Sequence, residues 1–267
     1  MKSSRKWLLG LSAVVSVAAL LLWFLPARWA MPWIESRLHG LHLKQVQGTV
    51  WDGRAGELMA IDGHPLGELR WQLSRRALFG QLRLQLAFDG PQLGFSARVQ
   101  RLPDGRIEAH GLQLHAELAT LAPYAAGSLG QPRGELELTV EHALLQGGWP
   151  LQLQAQAHWR HAVIRTPEGD IALGALEAQA QAQDGVIRAQ LRDEGNGPLQ
   201  ADGHLQLSPL GWRLDATLRA RQTDPRLRRW LARLGPASSD GSVHIRHHGG
   251  LAGGMPVPSP DKDARQK

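Results

Sequence analysis

Residues 151–159 read Leu-Gln-Leu-Gln-Ala-Gln-Ala-His-Trp, and this strict alternation of apolar and polar side chains decides the fold. Successive side chains of a strand point to opposite faces of its sheet, so a period of two predicts one apolar and one polar face. The same alternation runs from Leu69 to Leu73, from Leu82 to Phe88 and from Leu93 to Val99, and it recurs up to Ala220. The sequence therefore predicts a mainly β protein in which, for example, Leu84 faces inward and Gln85 faces solvent.

Turn sequences separate these runs at a spacing of about 8 to 12 residues, which is typical of an antiparallel meander. They include Asp89-Gly90-Pro91, Pro103-Asp104-Gly105, Gly147-Gly148, Asp184-Gly185 and Gly195-Asn196-Gly197-Pro198. Because few helices are available to cover the apolar face, two solutions remain: two packed sheets, or one sheet curled on itself. We favour an elongated, curled antiparallel sheet with one or two short helices.

Two segments interrupt the alternation. Residues 117–126 form a short Ala-rich stretch, while 224–234 combine Asp224 as N-cap, Pro225 at the first helical position and Gly235-Pro236 as a stop. Both segments predict helices. In the second, Trp230 shares one apolar face with neighbouring leucines and caps the end of the sheet.

An uncharged stretch at residues 7–25, WLLGLSAVVSVAALLLWFL, is long enough to cross a bilayer as a helix of about 28 Å. Lys2, Arg5 and Lys6 precede it, so the positive-inside rule predicts a cytoplasmic N-terminus (1–6) and a single pass. The alternative is a cleaved signal peptide, but the apolar stretch is longer than such peptides use and no good small-x-small cleavage site follows it. We therefore expect an inner-membrane anchor, a juxtamembrane linker (26–40), a periplasmic β-rich domain (41–248) and a disordered tail (249–267).

The composition excludes several function classes. There is no cysteine, which excludes disulfides, thiolate catalysis and Cys-ligated zinc. The net charge of +6, together with Arg70, Arg75, Arg76 and Arg83 near Trp71, superficially fits nucleic acid. Those arginines occupy polar strand positions, and a periplasmic domain meets little nucleic acid, so we expect no nucleic-acid partner.

No sequence motif for catalysis or for a cofactor is present. The chain contains no P-loop, H-E-x-x-H, EF-hand or G-x-S-x-G pattern. His158 and His161 lie three apart in a predicted strand and so face opposite sides, which argues against a metal site there. We expect neither an enzyme nor a bound cofactor or metal.

Three short motifs follow the anchor in a fixed order: VQGTVWDG at 46–53, LGELRWQL at 66–73 and LFGQL at 78–82. Further matches occur from Gly197 to Leu214 and from Asp224 to Gly235. This order resembles the type II secretion system protein N family of Gram-negative bacteria over about residues 5–246. The structural or interaction candidates that these motifs and the second helix supply are Gly48, Trp51, Gly53, Trp71, Gly80, Gly203, Trp212 and Trp230.

The resemblance implies an accessory, non-enzymatic component of the inner-membrane part of a protein export machine. Its implied neighbours are the platform proteins L and M and the outer-membrane secretin, besides the lipid bilayer itself. The alternative is a lipid-binding or lipid-transfer module of AsmA-like architecture, whose leucine-lined face holds acyl chains. Large aromatic side chains favour the first reading, because they should interdigitate as a filled core at Trp71, Phe88, Phe95, Trp159 and Trp212.

Overall fold

The computed structural model describes residues 23–29, 42–59, 65–120, 130–222 and 224–250. These residues form a single sheet of 13 strands, which lie side by side in chain order and pair antiparallel throughout. The predicted antiparallel meander is confirmed. The strands are β1 (His42–Gly48), β2 (Asp52–Met59), β3 (Pro65–Leu73), β4 (Arg83–Asp89), β5 (Leu93–Arg101), β6 (Ile107–Glu117), β7 (Gln131–Gln146), β8 (Trp149–Thr166), β9 (Gly169–Gln183), β10 (Val186–Asp193), β11 (Leu199–Ser208), β12 (Gly211–Ala220) and β13 (Ser242–Gly250).

Tight turns join the strands at the glycine-containing positions where the sequence predicts them. At the β9–β10 turn, Asp184 and Gly185 both have positive φ, 52° and 77°. Two consecutive left-handed residues are the signature of the type I′ hairpin turn, whose twist matches that of the flanking strands. Sequential hairpins of this kind produce the meander.

In the described part of the chain two helical segments accompany the sheet, besides short helical stretches at 27–29 and 118–120. A 3₁₀ turn at Arg75–Phe79 links β3 to β4, and helix α1 spans Pro225–Leu234. The carboxylate of Asp224 accepts a hydrogen bond from the Arg226 N–H, which confirms the predicted N-cap. The other predicted helix, 117–126, falls mostly outside the described residues.

No helix in the described part of the chain has the length and apolar character needed to cross a bilayer. The N-terminal residues 1–6 and most of the predicted anchor (7–25) and linker (26–40) lie outside the described residues, and so do residues 251–267. β13 runs to Gly250, two residues into the predicted tail.

The two faces of the sheet follow the alternation of the sequence. Leu84 is half-buried and its neighbour Gln85 is exposed, as predicted. Full burial is reached in separate clusters rather than in one continuous core. The largest cluster lies beneath α1 and contains Ala162, Ile164, Ile171, Leu173, Leu176, Leu199, Ala201, Leu218, Leu227, Trp230, Leu231 and Val243.

The expectation of one filled aromatic core is wrong for the described residues. Trp71 packs with the first three strands, Trp159 packs near α1, and Trp212 is 43% exposed. Only Phe88 and Phe95 stack, at 5.8 Å between ring centroids, and they are partners on adjacent strands. Extensive contacts in the described chain join consecutive strands, so no second sheet brings distant aromatics together.

Candidate interaction surfaces

The end of the predicted membrane span and the two residues after it are fixed to the first hairpin of the sheet. The Val50 N–H donates to the Leu25 carbonyl oxygen at 3.0 Å, and Pro26 bridges Thr49. Ala27 is 1% exposed because it packs into the cluster that includes Leu43. Residues 25–27 are therefore held against the sheet by backbone hydrogen bonds and a buried side chain.

Four of the predicted residues meet at this N-terminal corner. Gly48 has φ 89° and begins the β1–β2 turn, where a side chain would collide with backbone. Trp51 is 7% exposed, and its carbonyl oxygen accepts the Leu73 N–H at 2.7 Å. Gly53 pairs with Trp71, and a Cβ on Gly53 would lie 2.4 Å from the Trp71 ring. At this corner the indole of Trp71 occupies the space that a side chain at position 53 would need.

An exposed apolar tip lies next to this corner. The Arg75 guanidinium lies 4.4 Å from the centre of the Trp23 ring, and this contact joins the 3₁₀ turn to the C-terminal end of the predicted span. Phe79 is 85% exposed at the end of that turn. Gly80 then ends the turn with φ 82°. We use the term apolar tip for Trp23, Phe24, Leu78 and Phe79, all of which are exposed.

The remaining predicted residues lie at the opposite end of the sheet and do not converge. Trp230 is buried in α1, which packs against β9, β12 and β13. Gly203 is buried in β11, where a Cβ would approach that of Ala216 to 3.1 Å. Trp212 covers the backbone of Gly249 on β13. The eight candidates thus form two structural groups, one at each end.

One row of paired residues crosses all 13 strands on the apolar face. With inter-strand steps of about 4.8 Å, the row extends about 58 Å. Outside the α1 end, most of its side chains are half-buried. We call it the apolar strip, and its members are Val46, Ala55, Leu69, Phe88, Phe95, Leu114, Leu138, Ala157, Ala178, Leu191, Gly203, Ala216 and Ile245.

The polar face carries a cluster that the sequence reading missed. The Glu108 carboxylate oxygen Oε1 lies 3.2 Å from His110 Nε2 and 3.1 Å from His142 Nε2. Gln100 donates its amide N–H to the other oxygen at 2.5 Å. Hydrogen bonds from Gln100 and from His142 lower the pKa of Glu108, so its carboxylate is charged at neutral pH.

Paired β-bulges place these side chains on the polar face. Gly111 on β6 has φ 57° where the β5–β6 register shifts, and a matching shift lies between Val140 and His142 on β7. Each bulge reverses the alternation, which turns His110 and His142 away from the apolar face. The sequence contains a signal for the β6 bulge. Apolar residues fall on odd positions at 107–109 and on even positions at 112–116, so the alternation reverses between them.

The fold defines a class of protein, a single antiparallel sheet of 13 strands. Its candidate functional features are surfaces for contact with other molecules, at the ends of the sheet and along its faces. Comparison with known sequences gives the family. The model of "Type II secretion system (T2SS), protein N" matches residues 39–246. The chain belongs to the type II secretion system protein N family.

Three similar proteins carry the name "Type II secretion system protein N". The Vibrio cholerae protein is 26% identical over 62% of this chain and 70% of its own length. The Aeromonas hydrophila protein is 25% identical over 92% of this chain and 98% of its own, and that of Pectobacterium carotovorum is 23% identical over 79% and 85%. No solved structure gives a significant match. The chain is thus a component of type II protein secretion, and membership implies assembly with other secretion components.

Proposed function

We propose that the chain is an accessory, non-enzymatic component of the type II secretion system, held in the inner membrane by residues 7–25 with its sheet in the periplasm. The observation that carries this proposal, beside the family, is the buried contact of Leu25–Ala27 with the first hairpin. An anchor joined in this way holds the sheet at a fixed place beside the membrane. Platform proteins L and M and the secretin are the proposed partners.

The absence of native cysteine allows a direct test of topology with single-cysteine variants. We expect a membrane-impermeant maleimide to label Asn196→Cys in spheroplasts, since this turn residue is exposed. Ser3→Cys should react only after the membrane is dissolved. Labelling of Ser3→Cys in intact spheroplasts, or a mature protein that lacks residues 1–25, contradicts the proposed anchor.

The apolar tip supports an orientation in which the β1–β4 end of the sheet touches the membrane surface. Trp23 belongs to the proposed anchor, and Phe79 lies on the turn whose Arg75 contacts Trp23. Aromatic side chains beside arginines are typical of the membrane interface, where rings enter the headgroup region and guanidinium groups meet anionic phosphates. The far end, including β13, then projects into the periplasm.

This orientation is tested with an environment-sensitive fluorophore on single cysteines in nanodiscs. We expect a label on Phe79→Cys to be quenched by lipids that carry a doxyl group. The matched label on Leu210→Cys, which is 62% exposed at the β11–β12 turn, should not be quenched. Equal quenching at the two positions contradicts the orientation.

Partner contacts are tested by photo-crosslinking in cells that secrete. A photoreactive phenylalanine analogue replaces Leu86 on the apolar face or its neighbour Gln85 on the polar face. Leu86 is half-buried, so its replacement reports on whatever covers this face. We expect protein L, protein M or secretin adducts that are stronger from Leu86 than from Gln85. Adducts to none of these proteins from either position contradict the proposed role.

A lipid-binding module is the second candidate, and the apolar strip is the observation that favours it. A half-buried apolar row about 58 Å long offers a path on which acyl chains can lie. The same crosslinks discriminate between the two functions. Phospholipid adducts at Leu86, found by mass spectrometry of the crosslinked peptide, support the lipid-binding function in place of the scaffold.

A further inference from the structure

The Glu108–His110–His142 cluster has the donor set and spacing of a metal site. Neutral imidazole nitrogens with one carboxylate oxygen are ligands that Zn²⁺ accepts at about 2.0–2.2 Å. Two ligand atoms at these distances in a tetrahedral site lie about 3.3 Å apart. The observed separations of 3.1 and 3.2 Å between Glu108 Oε1 and the two Nε2 atoms are close to that value. All three ligand atoms lie within 4.8 Å of one another.

We propose that Glu108, His110 and His142 bind a divalent transition-metal ion, best matched by Zn²⁺, which joins β6 to β7 on the polar face. His110 and His142 are direct partners across these strands, with ring centroids 5.0 Å apart. An ion held by both rings ties the strands together beyond their backbone hydrogen bonds. A fourth position stays open for water or for a partner's side chain.

The surroundings support the ligand roles. Gln100 holds the second oxygen of Glu108, which orients the carboxylate as an outer-shell partner does in known metal sites. The three side chains are 21%, 46% and 29% exposed, so an ion can enter from solvent. The paired bulges lie beside the cluster on β6 and β7 and locally disrupt the pairing of the strands. They also turn both histidines to the same face.

One neighbouring cation opposes binding. Arg98 on β5 pairs with His110, and its guanidinium extends over Gly111. A positive charge there repels a bound cation, so Arg98→Gln should tighten binding several-fold. This variant removes repulsion without removing a ligand, and a purely structural role of the cluster gives no reason for such a gain.

The test measures Zn²⁺ binding to the full chain in detergent, purified without a polyhistidine tag and stripped with EDTA. Titration against a chromophoric chelator gives the affinity, and the melting temperature with and without ZnCl₂ gives the stabilisation. We expect one Zn²⁺ per chain, a higher melting temperature, and d–d absorption bands when Co²⁺ is added. Mg²⁺ and Ca²⁺ should have no effect, because they prefer all-oxygen sites.

Three variants make the test specific. His142→Gln and Glu108→Gln each remove one ligand and should weaken binding about tenfold or more. His115→Gln removes an exposed histidine from the same strand outside the cluster and should bind as the unsubstituted chain does. Melting without metal verifies that each variant is folded, and either ligand variant alone is sufficient.

The proposal is overturned if the unsubstituted chain binds no Zn²⁺, or if both ligand variants bind it as tightly as His115→Gln. In either case the cluster is only a set of hydrogen-bonded side chains.

Discussion

Packing of a tryptophan ring over a glycine on the neighbouring strand is a recurring device in this sheet. Gly53 lies under Trp71 on β3, and Gly249 lies under Trp212 on β12. A glycine weakens a strand because it has no side chain to pack, and a neighbouring aromatic ring covers the exposed backbone. The device is found at both ends of the sheet, where the neighbouring strands offer the least cover.

Substitution at Gly53 tests this packing. We expect Gly53→Ala to lower the free energy of unfolding by about 1–3 kcal/mol, because its Cβ would lie 2.4 Å from the Trp71 ring and displace it. Gly94→Ala is the matched control in β5, where the nearest atom is 3.7 Å away. It should be neutral or slightly stabilising. Urea unfolding of the two variants in detergent checks the difference, and equal effects would contradict it.

Asp193 carries a pH-dependent contribution to stability. Its side chain is 6% exposed and lies 2.6 Å from Arg221. Burial raises the pKa of Asp193, but the Ala201 N–H, the Arg221 guanidinium and the Gly195 N–H together outweigh burial, so the pKa is lowered. A lowered pKa means stability that is present above the unfolded-state value of about 3.9 and is lost as the pH falls through the folded-state pKa.

We therefore expect Asp193→Asn to cost about 1–3 kcal/mol of unfolding free energy at pH 7, and the difference from the unsubstituted chain to shrink below about pH 4. Chemical unfolding at several pH values measures it. Asp202→Asn is the control, because Asp202 is 60% exposed and 3.8 Å from Arg192. A surface pair of this kind contributes little. A pH-independent loss at Asp193 would show that the ion pair is not its cause.

At the scale of elements, α1 is the one described helix that covers the apolar face, and its burial gives a sharp test. Leu227 is 0% exposed in the cluster against β9, β12 and β13. We expect Leu227→Ala to cost about 2–4 kcal/mol through the lost contacts and the remaining cavity. Leu210→Ala, at a 62% exposed leucine, should stay within about 0.5 kcal/mol. Thermal unfolding compares them, and a small effect at Leu227 would mean that α1 is loosely packed.

The sequence predicted this helix well because its signals are local. Asp224 and Pro225 start it and Gly235 follows its end, all within a dozen residues. The 3₁₀ turn at Arg75–Phe79 was not predicted, because five residues are too few for a periodic pattern. Its N-cap, Ser74, is recognisable only after the flanking strands are known.

At the scale of the whole molecule, stability should vary along the sheet. Because strands pack mainly on their chain neighbours, local stability depends on strand length and on nearby cover. We expect the slowest amide hydrogen exchange in β7, β8 and β9, which have 16, 18 and 15 residues, and faster exchange in β1 and β4, which have 7 each. Mass-spectrometric exchange measures this directly. A uniform rate of amide exchange across the sheet would contradict the expectation that local stability varies from strand to strand.

Features that depend on near neighbours in the chain were predictable from the sequence. The alternation predicted that Leu84 and Gln85 lie on opposite faces of the sheet. The glycine-containing turns predicted where consecutive strands are separated, and the capped segment at 224–234 predicted α1. The ordered motifs also indicated the family. Apart from the order of the motifs, which runs along most of the chain, each of these patterns is contained within about a dozen residues, where backbone geometry sets side-chain direction.

Features that depend on pairing between distant strands became visible only in the folded molecule. Strand register brings His142 to Glu108, 34 residues away, and two bulges turn the histidines to one face. The same register aligns the apolar strip across 13 strands and leaves Trp212 exposed instead of packed in a core. The reason is physical: a single residue inserted in a strand reverses every side chain beyond it, so cross-strand contacts depend on the sum of all bulges and turns.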